Sequence, residues 1–301
     1  GMAVWHLSNL LIIFRLNCCK RGTHWPRQNH GYPWKILAHG KTRVSIMTLQ
    51  THQFPYGSDN YGLLLHCGDT GHTACVDAGD IVATQAALAE TGWGLTHIFI
   101  THHHADHTDG LAALKSAYNV TVLGPKIDSA VSNLYDTKLG DGDHFEFAGR
   151  RIDVLATPGH TLDMINFYSA DDQIVCTGDT LFVLGCGRIL EGDAPMMWSS
   201  LEKLMALPDD TIVYCSHEYT LANAQFAVTV DPDNAALAER QAAFESLRKN
   251  GLPTVPTRID LEKATNPFLR ASDPSIREHL TMTDATNAEV FTEIRRRKDN
   301  F

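Results

Sequence analysis

The stretch Thr101-His102-His103-His104-Ala105-Asp106-His107 decides how this chain is organised. It contains four imidazoles and one carboxylate within six residues, directly after an apolar run at residues 98–100 that predicts a strand. The carboxyl end of a strand is where an open sheet usually presents a site. Imidazole nitrogens and carboxylate oxygens are the donors that zinc and its first-row neighbours prefer. The stretch therefore predicts a metal site at the end of a strand.

Three further residues of ligand type repeat this arrangement downstream. Each lies where a loop leaves an apolar run that predicts a strand. Glycines beside two of them allow the backbone to turn sharply and to approach a ligand. The three residues are His160, Asp179 and His217.

The complete set of seven donors is larger than one tetrahedral ion can use. A structural zinc site closes with four ligands, usually including cysteine, and this set contains none. Two ions that share one carboxylate would use all seven donors. We predict that one ion is bound by His102, His104 and His160 and the other by Asp106, His107 and His217, with Asp179 bridging them.

The spacing within the first stretch fits this division. His102 and His104 are two residues apart, so their side chains lie on one side of an extended segment. Asp106 and His107 can then diverge toward an ion roughly 3.5–4 Å away. A pair of metal ions at this distance holds a hydroxide, because each ion lowers the pKa of bound water towards about 7. We expect Asp179 to help hold that hydroxide and Asp106 to orient it or exchange its proton, while His103 has a supporting or structural role.

The alternative for any one of these residues is an ordinary packed or surface position. The chain has sixteen histidines, and a lone histidine is more often packed or exposed than a ligand. A triple histidine could also belong to a purification tag. Here it lies in the middle of the chain, with an aspartate at a fixed offset and three more ligand types at equivalent strand ends. The pattern therefore favours the metal site.

Composition excludes some classes of protein. The formal charge of −10 over 301 residues argues against a general nucleic-acid binder, which would have a basic face. Seven cysteines are an odd number without a CxxC pair, so a disulfide scaffold is not expected and a reducing compartment fits best. We therefore expect a cytoplasmic protein whose cysteines are mostly small buried apolar residues.

Residues 1–46 differ from the remainder. They contain seven lysines or arginines and no acidic residue, which leaves about −17 on the rest of the chain. The apolar run at residues 10–14 is too short to cross a bilayer. Gly1-Met2 is typical of a tag remnant before a start codon, and we expect Met47 to be the natural first residue. An ordered extension is the alternative.

From residue 47 onward the pattern predicts a sheet-rich, layered α/β domain to residue 217 and a helical substrate-binding domain over residues 218–301. Alternating apolar residues, turn signals and capping residues indicate the individual elements. The predicted strands are 60–67, 73–77, 96–100, 120–123, 145–147, 151–155, 164–169, 173–177 and 211–215. The predicted helices are 81–91, 109–117, 197–207, 222–230, 234–250, 275–280 and 287–297.

The HxHxDH motif, followed by His160, Asp179 and His217 in this order, resembles the metallo-β-lactamase superfamily. The resemblance implies an αβ/βα sandwich with two divalent metal ions between its sheets. A site of histidines and carboxylates accepts zinc, iron and manganese, and zinc is the ion we expect.

Within that superfamily, residues 47–301 resemble the glyoxalase II (hydroxyacylglutathione hydrolase) family. The segments that carry the resemblance are residues 178–182, 185–188, 215–220, 265–270 and 295–299. It implies hydrolysis of S-D-lactoylglutathione and related 2-hydroxyacyl thioesters to glutathione and a 2-hydroxy acid such as D-lactate, the second step of methylglyoxal detoxification. The metal-held hydroxide would attack the thioester carbonyl, and the ions would stabilise the oxyanion.

Glutathione carries two carboxylates, so its site should be cationic. Matching the family's positions onto this sequence implies four contacts: Arg188, Tyr219, Arg295 and Lys298. The alternative for the basic run at residues 295–298 is a solvated helix end that complements the helix dipole. The family often has tyrosine where this chain has Leu190, so one hydrogen bond to the peptide would be missing or supplied otherwise.

Other functions remain to be distinguished. The same metal pair would serve a lactonase-like hydrolase, whereas a persulfide dioxygenase of this scaffold uses a single iron and lacks the extended helical C-terminus. A non-catalytic interaction protein would have no need of an open two-metal site. We expect the partner to be a small glutathione thioester, with no nucleic-acid or membrane partner, and the protein to be a monomer.

Overall fold

Alternating apolar residues build two sheets that pack face to face in the computed structural model, which describes residues 48–301. The described residues lie within one compact unit. The predictions for residues 1–46, and for Met47 as a first residue, lie outside the described residues. The domain boundaries stay predictions.

The first sheet has six strands in the order of the sequence. β1, β2 and β3 are antiparallel neighbours, and β3, β4, β5 and β6 run parallel. The parallel part brings the carboxyl ends of these four consecutive strands to one edge, where the His-rich stretch follows β4. The strands are β1 (Gln50–Tyr56), β2 (Asn60–His66), β3 (Thr73–Val76), β4 (His97–Phe99), β5 (Thr121–Pro125) and β6 (Thr137–Leu139).

The second sheet has the order β14-β13-β10-β9-β8-β7. Its pairs are antiparallel except for β10 and β13, which run parallel and therefore end at the same edge. A small hairpin, β11 and β12, follows β10. The strands are β7 (His144–Phe147), β8 (Arg150–Ala156), β9 (Ile165–Ser169), β10 (Ile174–Gly178), β11 (Leu181–Phe182), β12 (Gly185–Cys186), β13 (Ile212–Cys215) and β14 (Thr257–Arg258).

Helices cover the outer faces of both sheets. A core between the sheets joins residues such as Phe99 and Val154, and a second core packs the outer face of the first sheet against α1 and α3. A third joins Val175 and Val213 of the second sheet to α4 and α9. The αβ/βα sandwich predicted from the sequence is thereby confirmed. The helices are α1 (Ile81–Thr91), α2 (Ala105–Thr108), α3 (Leu111–Tyr118), α4 (Ala194–Met205), α5 (Thr220–Val230), α6 (Ala235–Lys249), α7 (Ile259–Thr265), α8 (Pro274–His279) and α9 (Asn287–Asp299).

A buried carboxylate helps to connect the helical segment after residue 218 to the second sheet. Glu262 on α7 is 0% exposed. Its Oε1 accepts hydrogen bonds from Arg240 at 2.8 Å and Thr257 at 2.7 Å. Its Oε2 accepts from the Leu184 amide at 2.8 Å and from Asn266 at 3.1 Å. Because Leu184 lies in the β11–β12 hairpin just after Asp179, this network connects the helices to the loop that carries a predicted ligand.

The cysteine prediction is confirmed for the described residues: Cys67, Cys75, Cys176, Cys186 and Cys215 are buried free thiols. The other two cysteines lie outside the described residues. Within residues 48–301, every helix is too short or too polar to cross a bilayer.

Candidate metal centre

The first ligand stretch is split between an extended segment and a helical turn. His102 and His104 follow β4, and His104 is the N-cap of α2. Asp106 and His107 lie on α2 itself, a single helical turn that the sequence did not predict. The His107 ring nonetheless lies 4.1 Å from the His102 ring, centroid to centroid, so the two halves of the motif stay close together.

The remaining donors come from the second sheet. His160 follows β8, Asp179 follows β10 and His217 follows β13. The seven donors therefore lie between an edge of each sheet, as the resemblance implies. Gly178, at φ 50°, allows the chain to turn directly before Asp179, and a Cβ on Gly187 would lie 2.0 Å from the Asp179 carbonyl oxygen.

His102, His104 and His160 form the first ligand group, with donor atoms within 4.8 Å of one another. His104 Nδ1 lies 3.1 Å from His102 Nε2 and 3.1 Å from His160 Nε2. The three imidazoles thus converge on one small volume, although they come from two sheets.

Asp106, His107 and His217 form the second ligand group. Asp106 Oδ2 lies 3.4 Å from His107 Nε2 and 3.5 Å from His217 Nε2. The same oxygen accepts a hydrogen bond from Asn60 Nδ2 at 2.9 Å, which fixes the carboxylate.

Asp179 lies between the two groups. Its Oδ1 is 3.4 Å from His107 Nε2, in the second group. Its Oδ2 is 3.4 Å from His160 Nε2 in the first group and 3.2 Å from His217 Nε2 in the second. One carboxylate therefore faces donors of both groups.

Four of the histidines are oriented by a contact at Nδ1, which leaves Nε2 facing the centre. Such outer contacts fix the tautomer and the ring orientation of a metal ligand. Nδ1 donates to a carboxylate or carbonyl oxygen in three of them, and to the Thr101 hydroxyl in His102, because that hydroxyl donates onward to Asp77. The contacts are His102–Thr101 at 2.9 Å, His107–Asp77 at 2.8 Å, His160–Arg188 carbonyl at 2.7 Å and His217–Asp59 at 2.8 Å.

Buried polar atoms at the centre fit a metal ion. In the described part of the chain, His107 Nε2 and Asp179 Oδ1 are buried and have no hydrogen-bond partner. Buried polar groups are normally paired, so each such atom requires an explanation. A cation that accepts electron pairs from both atoms would supply the missing partner.

The electrostatics of the centre also fit a cation. Burial, followed by the neighbouring imidazoles, holds the pKa of His102 well below its ordinary value, so this ring is a neutral donor. Burial alone would also lower the pKa of His107 and His217. The neighbouring carboxylates, first among them Asp179, overcome it, so that both pKa values are raised. The carboxylates thus favour positive charge in the second group.

Several supporting residues were missed by the sequence reasoning. Asp77, Asp59, Asn60 and Thr101 hold the donors in place. Asp77 also has φ 60°, a conformation that an aspartate rarely adopts and that is found at functional sites. Only its position at the end of the predicted strand 73–77 could have indicated it.

His103 points away from both groups, as expected for a supporting residue. Its Nδ1 donates to Asp163 Oδ1 at 2.9 Å, and its Nε2 lies 3.3 Å from Glu191 Oε1.

Two of the predicted substrate residues border the metal centre. The Tyr219 ring stacks on His217, with 4.8 Å between centroids and 3° between planes. Its side chain is partly exposed, and burial together with the Asp59 carboxylate raises the pKa of its hydroxyl. The carbonyl of Arg188 accepts a hydrogen bond from His160, and the Arg188 side chain is exposed. Leu190 is also exposed, and its amide donates to the His160 carbonyl.

The other two predicted substrate residues are on α9. The Arg295 guanidinium is buried, donates to the Cys186 carbonyl at 3.1 Å and forms an ion pair with Asp299. Lys298 is half-buried, and its Nζ donates to the Ala222 carbonyl at 2.9 Å. Arg295 is therefore bound to the strand just before Arg188, whereas Lys298 is bound to the helix that follows Tyr219.

Two family models match consecutive parts of the chain. The model described as "Metallo-beta-lactamase superfamily" matches residues 56–217. The model described as "Hydroxyacylglutathione hydrolase C-terminus" matches residues 218–301.

Curated relatives are similar over most of the chain. The hydroxyacylglutathione hydrolase of Rhizobium meliloti (strain 1021) is 51% identical over 256 residues, which are 85% of this chain and 100% of the relative. That of Brucella anthropi is 51% identical over 253 residues, covering 84% and 97%. That of Ruegeria pomeroyi is 49% identical over 255 residues, covering 85% and 100%.

Solved structures share the fold. The crystal structure of ETHE1 from Myxococcus xanthus superposes with a TM-score of 0.59 at 27% identity, covering 83% of this chain and 90% of that one. The BLEG-1 B3 metallo-β-lactamase gives 0.55 at 22% identity, covering 73% and 99%. The second likeness concerns the fold alone.

Proposed function

Because this chain belongs to the hydroxyacylglutathione hydrolase family of the metallo-β-lactamase superfamily, we propose that it hydrolyses S-D-lactoylglutathione and related S-(2-hydroxyacyl)glutathiones. The products are glutathione and a 2-hydroxy acid, D-lactate for the lactoyl substrate. The observation that carries the proposal is the convergence of two donor groups on one shared carboxylate, Asp179.

The fold of this superfamily implies a divalent metal, and we propose two ions, zinc by preference, with iron or manganese as alternatives. When bound, the ions would supply a nucleophilic water at neutral pH and polarise the thioester carbonyl. The proposed ligands are His102, His104 and His160 for one ion and Asp106, His107 and His217 for the other, shared by Asp179.

The roles proposed for the two carboxylates differ because their surroundings differ. Asp179 is buried among imidazoles from both groups, which supports its role in holding the reacting centre together. The Asp106 side chain is 47% exposed and is held by Asn60, which supports a role in orienting the attacking water or taking up its proton.

We propose that Arg188, Tyr219, Arg295 and Lys298 bind the glutathione part of the substrate. Arg188 and Tyr219 adjoin His160 and His217, which supports contacts close to the thioester. The buried Arg295 guanidinium donates to the Cys186 carbonyl, so we propose that it also holds the segment that carries Arg188. Exposed Leu190 would contribute an apolar contact in place of a hydrogen bond.

The experiment that tests the function pairs metal analysis with two activity assays. We expect about two ions per chain, turnover of S-D-lactoylglutathione and no oxygen uptake with glutathione persulfide. One iron per chain with oxygen consumption would overturn the hydrolase proposal in favour of a dioxygenase. Faster turnover of lactones than of glutathione thioesters would favour a lactonase-like enzyme.

We expect Lys298→Ala to raise KM for S-D-lactoylglutathione and to leave kcat nearly unchanged. The ammonium group would bind a carboxylate remote from the reacting carbon, so its loss removes binding that is equal in ground and transition states. The loss of a single exposed charge pair corresponds to about 0.2–1 kcal/mol, a rise in KM of up to roughly fivefold. Steady-state kinetics measure both constants.

Arg296→Ala is the matched control for Lys298→Ala. It removes one positive charge from the same helix, but the exposed Arg296 side chain is already paired with Glu293 on α9. We expect wild-type constants for this variant. A fall in kcat with unchanged KM in Lys298→Ala, or equal effects of both variants, would contradict the proposed contact.

We further propose that the protein acts in the cytoplasm as a monomer, without a nucleic-acid or membrane partner. The five described cysteines are free thiols, which supports a reducing compartment. The acidic balance of the chain argues against a nucleic-acid partner.

A further inference from the structure

His103 contacts two carboxylates that the proposed reaction does not use. Nδ1 donates to Asp163 Oδ1 at 2.9 Å, and Nε2 lies 3.3 Å from Glu191 Oε1. Asp163 is 3% exposed, and its Oδ2 has no hydrogen-bond partner among the described residues. A buried carboxylate is costly unless it is paired, so the His103 contact is the main stabilising partner seen for Asp163.

These three residues, here named the His103 latch, connect segments that carry the first ligand group. His103 lies between His102 and His104 in the chain. Asp163 follows His160 on the loop after β8. Glu191 is bound to that loop twice, because its Oε2 accepts from the Leu162 amide at 2.8 Å and its own amide donates to the His160 carbonyl at 3.3 Å.

We propose that the His103 latch is a positioning device that sets the distance between the His102/His104 segment of the first sheet and the His160 loop of the second. His104 Nδ1 and His160 Nε2 come from these different sheets and approach to 3.1 Å. The affinity of the first ligand group for its ion depends on holding that approach. The inference rests on the proposed two-ion centre but not on the identity of the substrate.

The latch acts on one ion and not on the other. Within residues 48–301, the side chains of the latch contact one another and the loop that carries His160. The second ligand group is held by other residues, Asp77, Asp59 and Asn60. The latch is not itself assigned a metal, because each nitrogen of its imidazole faces a different carboxylate.

The test compares two carboxylate-to-amide variants by titrating zinc into the metal-free protein. Asp163→Asn is expected to weaken zinc binding at one of the two sites by about 10-fold, the lower end of the range for the loss of a direct partner of a ligand, because Asp163 acts through His103. Asp59→Asn is the matched control, because Asp59 accepts from His217 in the second group. It is expected to weaken zinc binding at the other site by about 10–100-fold, because Asp59 is a direct partner of the proposed ligand His217.

A His104→Ala background identifies which ion is affected. This variant removes a donor of the first group, and adding Asp163→Asn to it should change the affinity for the remaining ion by less than about twofold, as for independent sites. If Asp163→Asn fails to fold, Glu191→Gln is the substitute, because Glu191 is partly exposed. It should lower the affinity for the same zinc ion by a smaller factor.

Two results would overturn the inference. The first is an equal loss of affinity for both zinc ions in Asp163→Asn, which would indicate a general effect on folding. The second is a third zinc ion in the wild type that Asp163→Asn removes, which would make the latch a metal site. If the wild type does not turn over glutathione thioesters, the proposed function is overturned, but the zinc affinities expected for the latch variants are unaffected.

Discussion

Asp179→Ala is expected to nearly abolish hydrolysis of S-D-lactoylglutathione. The carboxylate faces His107 through one oxygen and His160 and His217 through the other, so its loss removes the negative charge shared by both ligand groups. Loss of one preorganised electrostatic contact costs about 10²–10³-fold in kcat, and the loss of a shared ligand should cost at least that much. Steady-state kinetics together with metal analysis measure the effect, and bound metal should fall with activity.

The matched control for Asp179→Ala is Asp153→Ala. Asp153 lies on β8 of the same sheet and pairs with the exposed Arg151, away from the proposed ligands. We expect wild-type metal content and turnover for this variant. Two bound ions and near-normal turnover in Asp179→Ala would show that Asp179 is not the shared ligand.

The fold could be predicted well wherever local signals agree with the tertiary structure. Helix α1 was predicted at its observed bounds, because Asp80 caps its start and Gly92 takes the left-handed conformation at its end. Strand β1 was missed because it is an edge strand with a mixed pattern and a proline, and only its pairing with β2 makes it a strand. β11, β12 and β14 are two residues each and leave no periodic signal.

The proposed ligands could be found from the sequence because metal chemistry restricts both residue type and position. Imidazoles and carboxylates at strand ends are recognisable without knowing which strands are neighbours. The supporting contacts could not be found in this way. Asp59 holds His217 across a separation of 158 residues and between the two sheets. Asp77 holds His107 across 30 residues, between the ends of neighbouring strands of the first sheet, so each role exists only in the folded chain.

For the proposed substrate-binding residues, the sequence is less informative than for the proposed ligands. A basic run at the end of the chain indicates charge, but it does not show which side chains are free to bind. Arg296 and Arg297 are paired with Glu293 on their own helix, and Arg295 is buried against the Cys186 carbonyl. Lys298 alone among these residues keeps a half-buried ammonium group without a carboxylate partner in the described contacts.

Glu262→Ala is expected to destabilise the protein by about 3–5 kcal/mol, the cost of breaking a buried ion pair by removing one partner. The substitution leaves the Arg240 guanidinium without its carboxylate and the Leu184 amide and Asn266 side chain without one of their acceptors. Because Glu262 is 0% exposed, water cannot easily replace these contacts. Denaturant unfolding, followed by circular dichroism, measures the loss in the free energy of unfolding.

Lys263→Ala, at the next residue of α7, is the control that separates burial from charge. Its ion pair with Asp209 is at the surface, with side-chain exposures of 41% and 69%, so its loss should cost only about 0–1 kcal/mol. Similar losses for the two variants would contradict the role assigned to the Glu262 network. If only Glu262→Ala is strongly destabilised, the Glu262 network is a main connection between the helical segment and the loop after Asp179, because its four donors come from α6, the residue that follows α7, β14 and the β11–β12 hairpin.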